Sequence, residues 1–451
     1  MTHTAFILGM VICVATQQAG NDRVVPVYPD WVLEGLTMEP SGGMTVKLNA
    51  GVARLGGRDV AIAAAQFELA PPTSVRVHDE QLVLSEEKPS GWAHGTSLKQ
   101  CTCFGNGHGT PLPGCLKPGS LRVKSAAGEE GQVFEEGKDY LVDWNWDKLG
   151  RVAEGAIKQN QTVFVDYEYR LVRLDSIIVK PDGSAALVAG ESKPTCPLPP
   201  PIDADAARLA NILVWFDTQE IVQGLLFPCG PVFPEPDRAE RERRQQLVSR
   251  TLAKLQAGQE VTIVTWGDSV TAGGDAQPPE RAFPYAFANE LRVKYPQAKV
   301  NLVNAGIGGS STNSRLAGLE QDVIAHKPDL VTIEFVNDCG LSPEKLQQNW
   351  HEAIGKISAA GGEVIVITPH WTMPPWMGMS YADQWGRDRR PAVEAMRKVA
   401  ADLSVGLADT SRRWEHLAQE GLPYVTLLWN GINHPDNRGH WLFVQDLMTY
   451  F

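Results

Sequence analysis

The sequence has 451 residues, more than one hydrophobic core usually organises, so two domains are expected. With 43% hydrophobic and 21% charged residues it has the composition of a globular chain and not of a disordered one. A formal net charge of −12 argues against a polyanionic partner, and so against nucleic-acid binding, while no apolar run reaches the length of a membrane-spanning helix.

Residues 5–15 (AFILGMVICVA) have the length of a signal-peptide apolar region, with Ala15 or Ala19 as cleavage positions. Residues 1–19 are therefore expected to be a signal peptide of a secreted or periplasmic protein. The alternative is a buried N-terminal element of a cytoplasmic one. Without Cys13, six cysteines remain, an even number that an oxidising compartment would allow to pair. Cys101, Cys103, His108 and Cys115 lie in a Gly/Pro-rich loop. A disulfide-stapled loop, free thiols and a structural zinc are all open there, although Cys-x-Cys departs from the usual two-residue zinc spacing.

Residues 20–217 read as strands. In the segment 162–174, Val163, Val165, Tyr167, Tyr169 and Leu171 alternate with Asp166, Glu168 and Arg170, the period of a half-buried antiparallel strand. Pro181-Asp182-Gly183 is a hairpin signal between two further apolar runs. Few helical stretches intervene, and a β-sandwich-like domain is expected. Trp144 and Trp146 are candidates for stacking on a sugar, or simply for packing. Residues 218–236, with Pro228, Pro231, Pro234 and Pro236, read as a Pro-rich linker. Asp237 then has the chemistry of an N-cap for a helix to about Gln256.

From residue 237 to 451 strand and helix alternate. Apolar strands are expected at residues 261–266, 299–304, 329–336 and 363–368, with helices at 311–326, 343–360 and 391–403. This pattern makes a parallel sheet with right-handed crossovers covering both faces. Its polar exceptions fall at strand ends, the edge where open α/β sheets build sites. They are Gly267-Asp268-Ser269-Val270, Gly308-Gly309-Ser310, Asn337-Asp338 and Asn430-Gly431-Ile432-Asn433-His434-Pro435. Singly, each is ordinary turn chemistry. Together they supply a nucleophile, oxyanion donors and a base in one sheet.

These four segments resemble the four sequence blocks of the SGNH hydrolases, the GDSL esterase/lipase superfamily. The resemblance covers residues 237–451 and implies a flavodoxin-like three-layer α/β domain. Ser269 matches the family's nucleophile, Gly309 its oxyanion glycine, Asn337 its oxyanion asparagine and His434 its base. The family usually carries an Asp three or four residues before the histidine, where this chain has Gly431 and Asn430. Asn430 can orient an imidazole but supplies no charge. Asp436 is the alternative acid, and a Ser–His dyad is the description that needs neither.

The implied chemistry is acyl transfer without a metal or organic cofactor. His434 takes the proton of Ser269, and the oxyanion is held by the N–H groups of Ser269 and Gly309 and the side chain of Asn337. Asp268, Trp371 and Trp376 are candidates for substrate binding, the tryptophans as an aromatic lip after the fourth strand. The β-rich domain, the expected export and this lip resemble secreted carbohydrate esterases, implying an acetylated saccharide as the ester substrate. Another small-ester or thioester hydrolase, and a degenerate fold kept for carbohydrate binding, are the alternatives. Oligomeric state is not legible.

Overall fold

The computed structural model describes residues 24–105 and 109–451. The expected signal peptide and His108 lie outside the described residues. Among the described residues no helix is long and apolar enough to cross a membrane.

The C-terminal part is built on a five-stranded parallel sheet. From edge to edge its strands are Lys299–Gly306, Glu260–Gly267, Leu330–Glu334, Glu363–Ile367 and Gly406–Ala408. The chain starts in the second of these, moves to one edge and then crosses to the other. Its switch point therefore lies at the carboxyl end of Glu260–Gly267. Strand alternation divides the packing: Val261 and Ile263 join one buried cluster with Phe287, Leu291, Phe443 and Leu447, and Val264 and Trp266 join another with Trp350, Ile354, Met396 and Val399. Helices Phe283–Lys294 and Asn437–Met448 thus cover one face, Pro343–Ala359 and Pro391–Asp402 the other. This is the expected three-layer arrangement.

Some expected elements differ in detail. The helix capped by Asp237, whose Oδ1 accepts the Glu240 N–H at 2.8 Å, breaks at Val248 into Arg238–Leu247 and Ser249–Gln256. The expected helix at 311–326 is instead a series of short turns, beginning with Thr312–Arg315. The last strand, Gly406–Ala408, is only three residues long and leaves no readable alternation.

Among the described residues the β-rich half forms five small antiparallel sheets of three or four strands each. The apolar run at 162–174 divides between two of them, as Thr162–Arg170 and the start of Arg173–Val179. A bulge between Val165 and Tyr167 turns Asp166 inward, where it pairs with the buried Lys124 at 2.7 Å. The hairpin at Pro181-Asp182-Gly183 forms as expected, with Gly183 at φ +86° between Arg173–Val179 and Ala185–Val188.

The stretch 218–236 is not a free spacer. Leu226–Pro228 pairs with Ala207–Val214, Gly230 N–H donates to the Gln419 carbonyl at 2.7 Å, and Phe233 N–H donates to Glu420 Oε1 at 2.9 Å. The two halves also share one apolar cluster. Trp215 stacks on Tyr381 with centroids 4.6 Å apart, and Phe227 on Trp385 at 5.3 Å. Prolines in this stretch remove donors without preventing packing, which is why composition alone suggested a linker.

Candidate active site

The strand Glu260–Gly267 ends against its neighbour so closely that a Cβ on Gly267 would lie 2.2 Å from the Glu334 carbonyl oxygen. Only glycine fits there. Asp268 follows, caps the one-turn helix Ser269–Ala272, and leaves Ser269 at the sheet's carboxyl edge. Ser269 Oγ lies 3.0 Å from His434 Nε2. His434 Nδ1 lies 2.6 Å from Asp275 Oδ2. A carboxylate accepts only, so Nδ1 carries the proton, and Nε2 is left to accept from the serine hydroxyl.

The third member of this chain of hydrogen bonds is thus Asp275, and not Asn430 or Asp436. Asn430 is 2% exposed, and its Oδ1 accepts the backbone N–H groups of Ile432, Asn433 and His434 at 2.9 to 3.0 Å. It builds the turn that presents His434 and does not touch the imidazole. Asp436 caps the helix Asn437–Met448, accepting from Arg438 and Gly439 N–H, and pairs with Arg438 at 2.7 Å. Asp275 comes from the loop after the nucleophile's helix, behind Gly273-Gly274, with φ +60°. A Cβ on Gly274 would stand 3.0 Å from His434 Cε1, so the histidine ring rests on that glycine. In sequence, Gly-Gly-Asp reads as a turn, and nothing in its spacing points to a histidine 159 residues away.

Gly309 and Asn337, the expected oxyanion donors, lie at the same edge. Gly309 is exposed with φ +71°, in the loop after Lys299–Gly306. Asn337 is exposed at the end of the third strand, and its Nδ2 donates one hydrogen to the Ser310 carbonyl at 2.9 Å. The second Nδ2 hydrogen remains for a ligand. The Ser310 contact thereby ties the Gly309 and Asn337 turns together.

Asp268 and Trp371, expected to bind substrate, are instead buried. Asp268 is fully buried; its Oδ1 accepts the Val270 N–H and its Oδ2 the Asn337 N–H, each at 3.1 Å. It ties the nucleophile's turn to the oxyanion asparagine, and burial pushes its carboxyl up to about 6. Behind it, burial holds the Glu334 carboxyl well above its usual range. Trp371 is 1% exposed, packed edge-on against Tyr424. Trp376 is 37% exposed, in a loop pinned to the histidine turn by the Met373 N–H to Ile432 carbonyl bond of 2.6 Å. An aromatic contact that the sequence did not suggest joins the halves here: Phe104 lies 6.2 Å from Trp429, five residues before His434.

The GDSL-like lipase/acylhydrolase family model matches residues 265–442, the span from the nucleophile's strand to the last helix. An acetylxylan esterase of Geobacillus stearothermophilus is 33% identical over 217 residues, which is 43% of this chain and 93% of that relative. The chain belongs to the GDSL-like lipase/acylhydrolase family. An arylesterase of Vibrio mimicus is 32% identical over 136 residues, or 30% of this chain, and the chain spans 64% of that relative's length. Among solved structures, a two-domain esterase active on acetylated mannans aligns with TM-score 0.39 and 21% identity, covering 45% of this chain and 52% of that one. A domain of unknown function (DUF4815) matches residues 132–225 of the β-rich half. Ser269 and His434 both lie inside the GDSL-like span, and so does Asp275.

Proposed function

We propose that this GDSL-family chain is a serine ester hydrolase whose preferred substrate is an O-acetylated carbohydrate. The observation that carries the hydrolase reading is the relay Asp275–His434–Ser269, with hydrogen bonds of 2.6 and 3.0 Å in a tautomer fit for proton removal. His434 Nε2 takes the Oγ proton as Oγ bonds to the ester carbon. The oxyanion that forms accepts from Ser269 N–H, Gly309 N–H and Asn337 Nδ2. His434 then protonates the departing alkoxide. Water, deprotonated by the same imidazole, cleaves the acyl-enzyme to free acid and serine. Asp275 accepts from Nδ1 throughout and stabilises the imidazolium in both steps.

The acetyl-carbohydrate reading is supported by the acetylxylan esterase at 33% identity and by the exposed Trp376 and Phe104, whose faces suit a sugar ring. The apolar residues 5–15 support export, where polysaccharides are met. The test is a panel of acetylated xylo- and manno-oligosaccharides, aryl acetates, longer acyl esters and thioesters, with Ser269→Ala as blank. The reading expects acetate release from saccharides at the highest kcat/KM. A preference for long acyl chains or thioesters would overturn the substrate class. Full activity of Ser269→Ala would overturn the mechanism.

A further inference from the structure

Cys101 and Cys115 stand at the two feet of the loop that carries Phe104 toward the catalytic turn. The Leu112 N–H to Cys101 carbonyl bond of 2.8 Å draws the feet together, and the Arg170 N–H to Cys115 carbonyl bond of 2.8 Å ties the second foot to the strand Thr162–Arg170. Both thiols are buried, and so is the carboxylate of Asp147; the three ligand atoms lie within 4.8 Å of one another. Asp147 Oδ2 accepts the Leu116 N–H at 2.9 Å. Its Oδ1 is buried and receives no N–H or O–H hydrogen bond among the described residues, the Cys115 thiol being the other group against the carboxylate.

An orphaned carboxylate oxygen in a dry interior is costly, by about 1–3 kcal/mol or more when charged. A disulfide between the cysteines would leave this oxygen as it is, since a disulfide offers neither proton nor charge. A divalent cation satisfies all three groups at once. In a tetrahedral zinc site with Zn–S near 2.3 Å, ligand atoms are about 3.8 Å apart, so a small closure of the cluster suffices. Two thiolates and a carboxylate around the ion leave one negative charge, and Arg170, whose field already reaches Asp147, offsets it.

We propose that Cys101, Cys115 and Asp147 bind a zinc-class divalent ion that anchors the loop between the two cysteines against the active site. The site differs from the one the sequence suggested: Asp147, 32 residues beyond Cys115, takes the place of Cys103. Cys103 instead lies toward Asp275, and Leu112 approaches Gly431 of the histidine turn, where a Cβ would meet Leu112 Cδ2 at 3.2 Å. Two thiolates favour zinc over the hard cations that prefer oxygen. Three protein ligands leave the fourth tetrahedral position for a water molecule, and the ion ties Cys101 to Cys115 beneath Phe104 and Leu112, the residues that approach the catalytic turn.

The test is metal content of the full chain, purified without chelator, together with thiol counts under denaturing conditions. The expected result is about one zinc per chain, released when an organomercurial titrates the thiols, with both cysteines then alkylatable. Cys101→Ser and Asp147→Asn should lose the zinc and lower Tm, whereas Cys103→Ser keeps it and Asp147→His, which restores a ligand, recovers it. If the ligand variants do not fold, the wild-type metal and thiol counts still decide. Absence of metal with Cys101 and Cys115 joined as a disulfide overturns the proposal. So does absence of metal with both thiols free, and so does zinc retained in Asp147→Asn and Cys101→Ser at wild-type stoichiometry.

Discussion

Asp275 Oδ2 lies 2.6 Å from Nδ1 of His434, across 159 residues of chain. The pair forms because the loop after the nucleophile's helix folds back under the histidine turn, with Gly274 as the surface the imidazole rests on. The carboxylate is therefore delivered from beside the serine and not from beside the histidine.

This relationship gives opposite expectations for two acids and amides. Asp275→Asn should lower kcat by about 10²–10⁴, since an amide can hold the imidazole in the wrong tautomer and supplies no charge for the imidazolium. Asn430→Asp should not raise kcat. Its Oδ1 already serves three backbone N–H groups, and Asp would lose the bond from Nδ2 to Asn433 Oδ1. Steady-state kinetics on an aryl acetate, with kcat/KM followed against pH, separates the two. A faster Asn430→Asp enzyme with an unaffected Asp275→Asn would return the orienting role to Asn430.

The contrast shows what the sequence carried and what it did not. Ser269, Gly309 and Asn337 were legible because each follows a strand, and strand ends are marked by an abrupt change from apolar to polar residues; His434, expected at a strand end too, instead follows the short turn Tyr424–Leu427 and was legible only from its Asn-His-Pro segment. Four of the five parallel strands were legible for the same reason; Gly406–Ala408 is too short to have a period. Asp275 was not legible, because Gly-Gly-Asp has the composition of any turn and its partner is chosen by tertiary folding. Nor was the join between the halves. Trp385 and Tyr381 carry no periodic signal, and only the folded chain brings Phe227 and Trp215 onto them.

That join predicts the behaviour of fragments. The sequence suggests that a chain starting near Pro236 folds alone. In the structure, Trp371, Trp385, Trp414 and Tyr424 are each at most 2% exposed within a cluster that includes Trp215, Phe216, Leu226 and Phe227. Removing the β-rich half uncovers several such side chains, each worth about 1.5–3 kcal/mol of burial. Residues 237–451 expressed alone should be insoluble or bind a hydrophobic dye strongly while the full chain does not. A monomeric fragment with full esterase activity and an unchanged Tm would contradict this.

Acid should destabilise the fold through buried neutral histidines. Burial holds His440 down to about 3, against an ordinary value near 6.5, and holds His370 well below that ordinary value. The unfolded chain takes up these protons as pH falls below about 6.5 while the folded chain refuses them, so stability is lost from there toward pH 3. Asp268 and Asp147, raised by burial, act oppositely in part of this window. The difference between variants isolates the histidine. His440→Gln, which can keep an acceptor for the Phe283 N–H, should show a shallower loss of Tm between pH 7 and pH 4.5 than wild type. Parallel curves would exclude His440 as a source of the acid limb.

Asp268 separates catalysis from stability most sharply. It sits beneath Ser269 and accepts from both Val270 and Asn337, so it sets the distance between the nucleophile and one oxyanion donor. In Asp268→Asn one of these acceptors becomes an NH₂ group facing an N–H donor, and one of the two turns must move. The expected loss in kcat approaches that of removing an oxyanion donor, about 10²–10³, with KM little changed. Stability should respond in the other direction as pH rises. Burial raises the folded Asp268 carboxyl to about 6, so wild type carries the cost of a desolvated charge above that pH and not below the unfolded value near 3.8. An amide carries no such cost. The Tm of Asp268→Asn relative to wild type should therefore be less unfavourable at pH 8 than at pH 5, while its kcat stays low at both. A variant whose activity recovers at pH 8 along with its relative stability would show that Asp268 acts on catalysis only through the fold, and that the bond to Asn337 does not position the oxyanion donor.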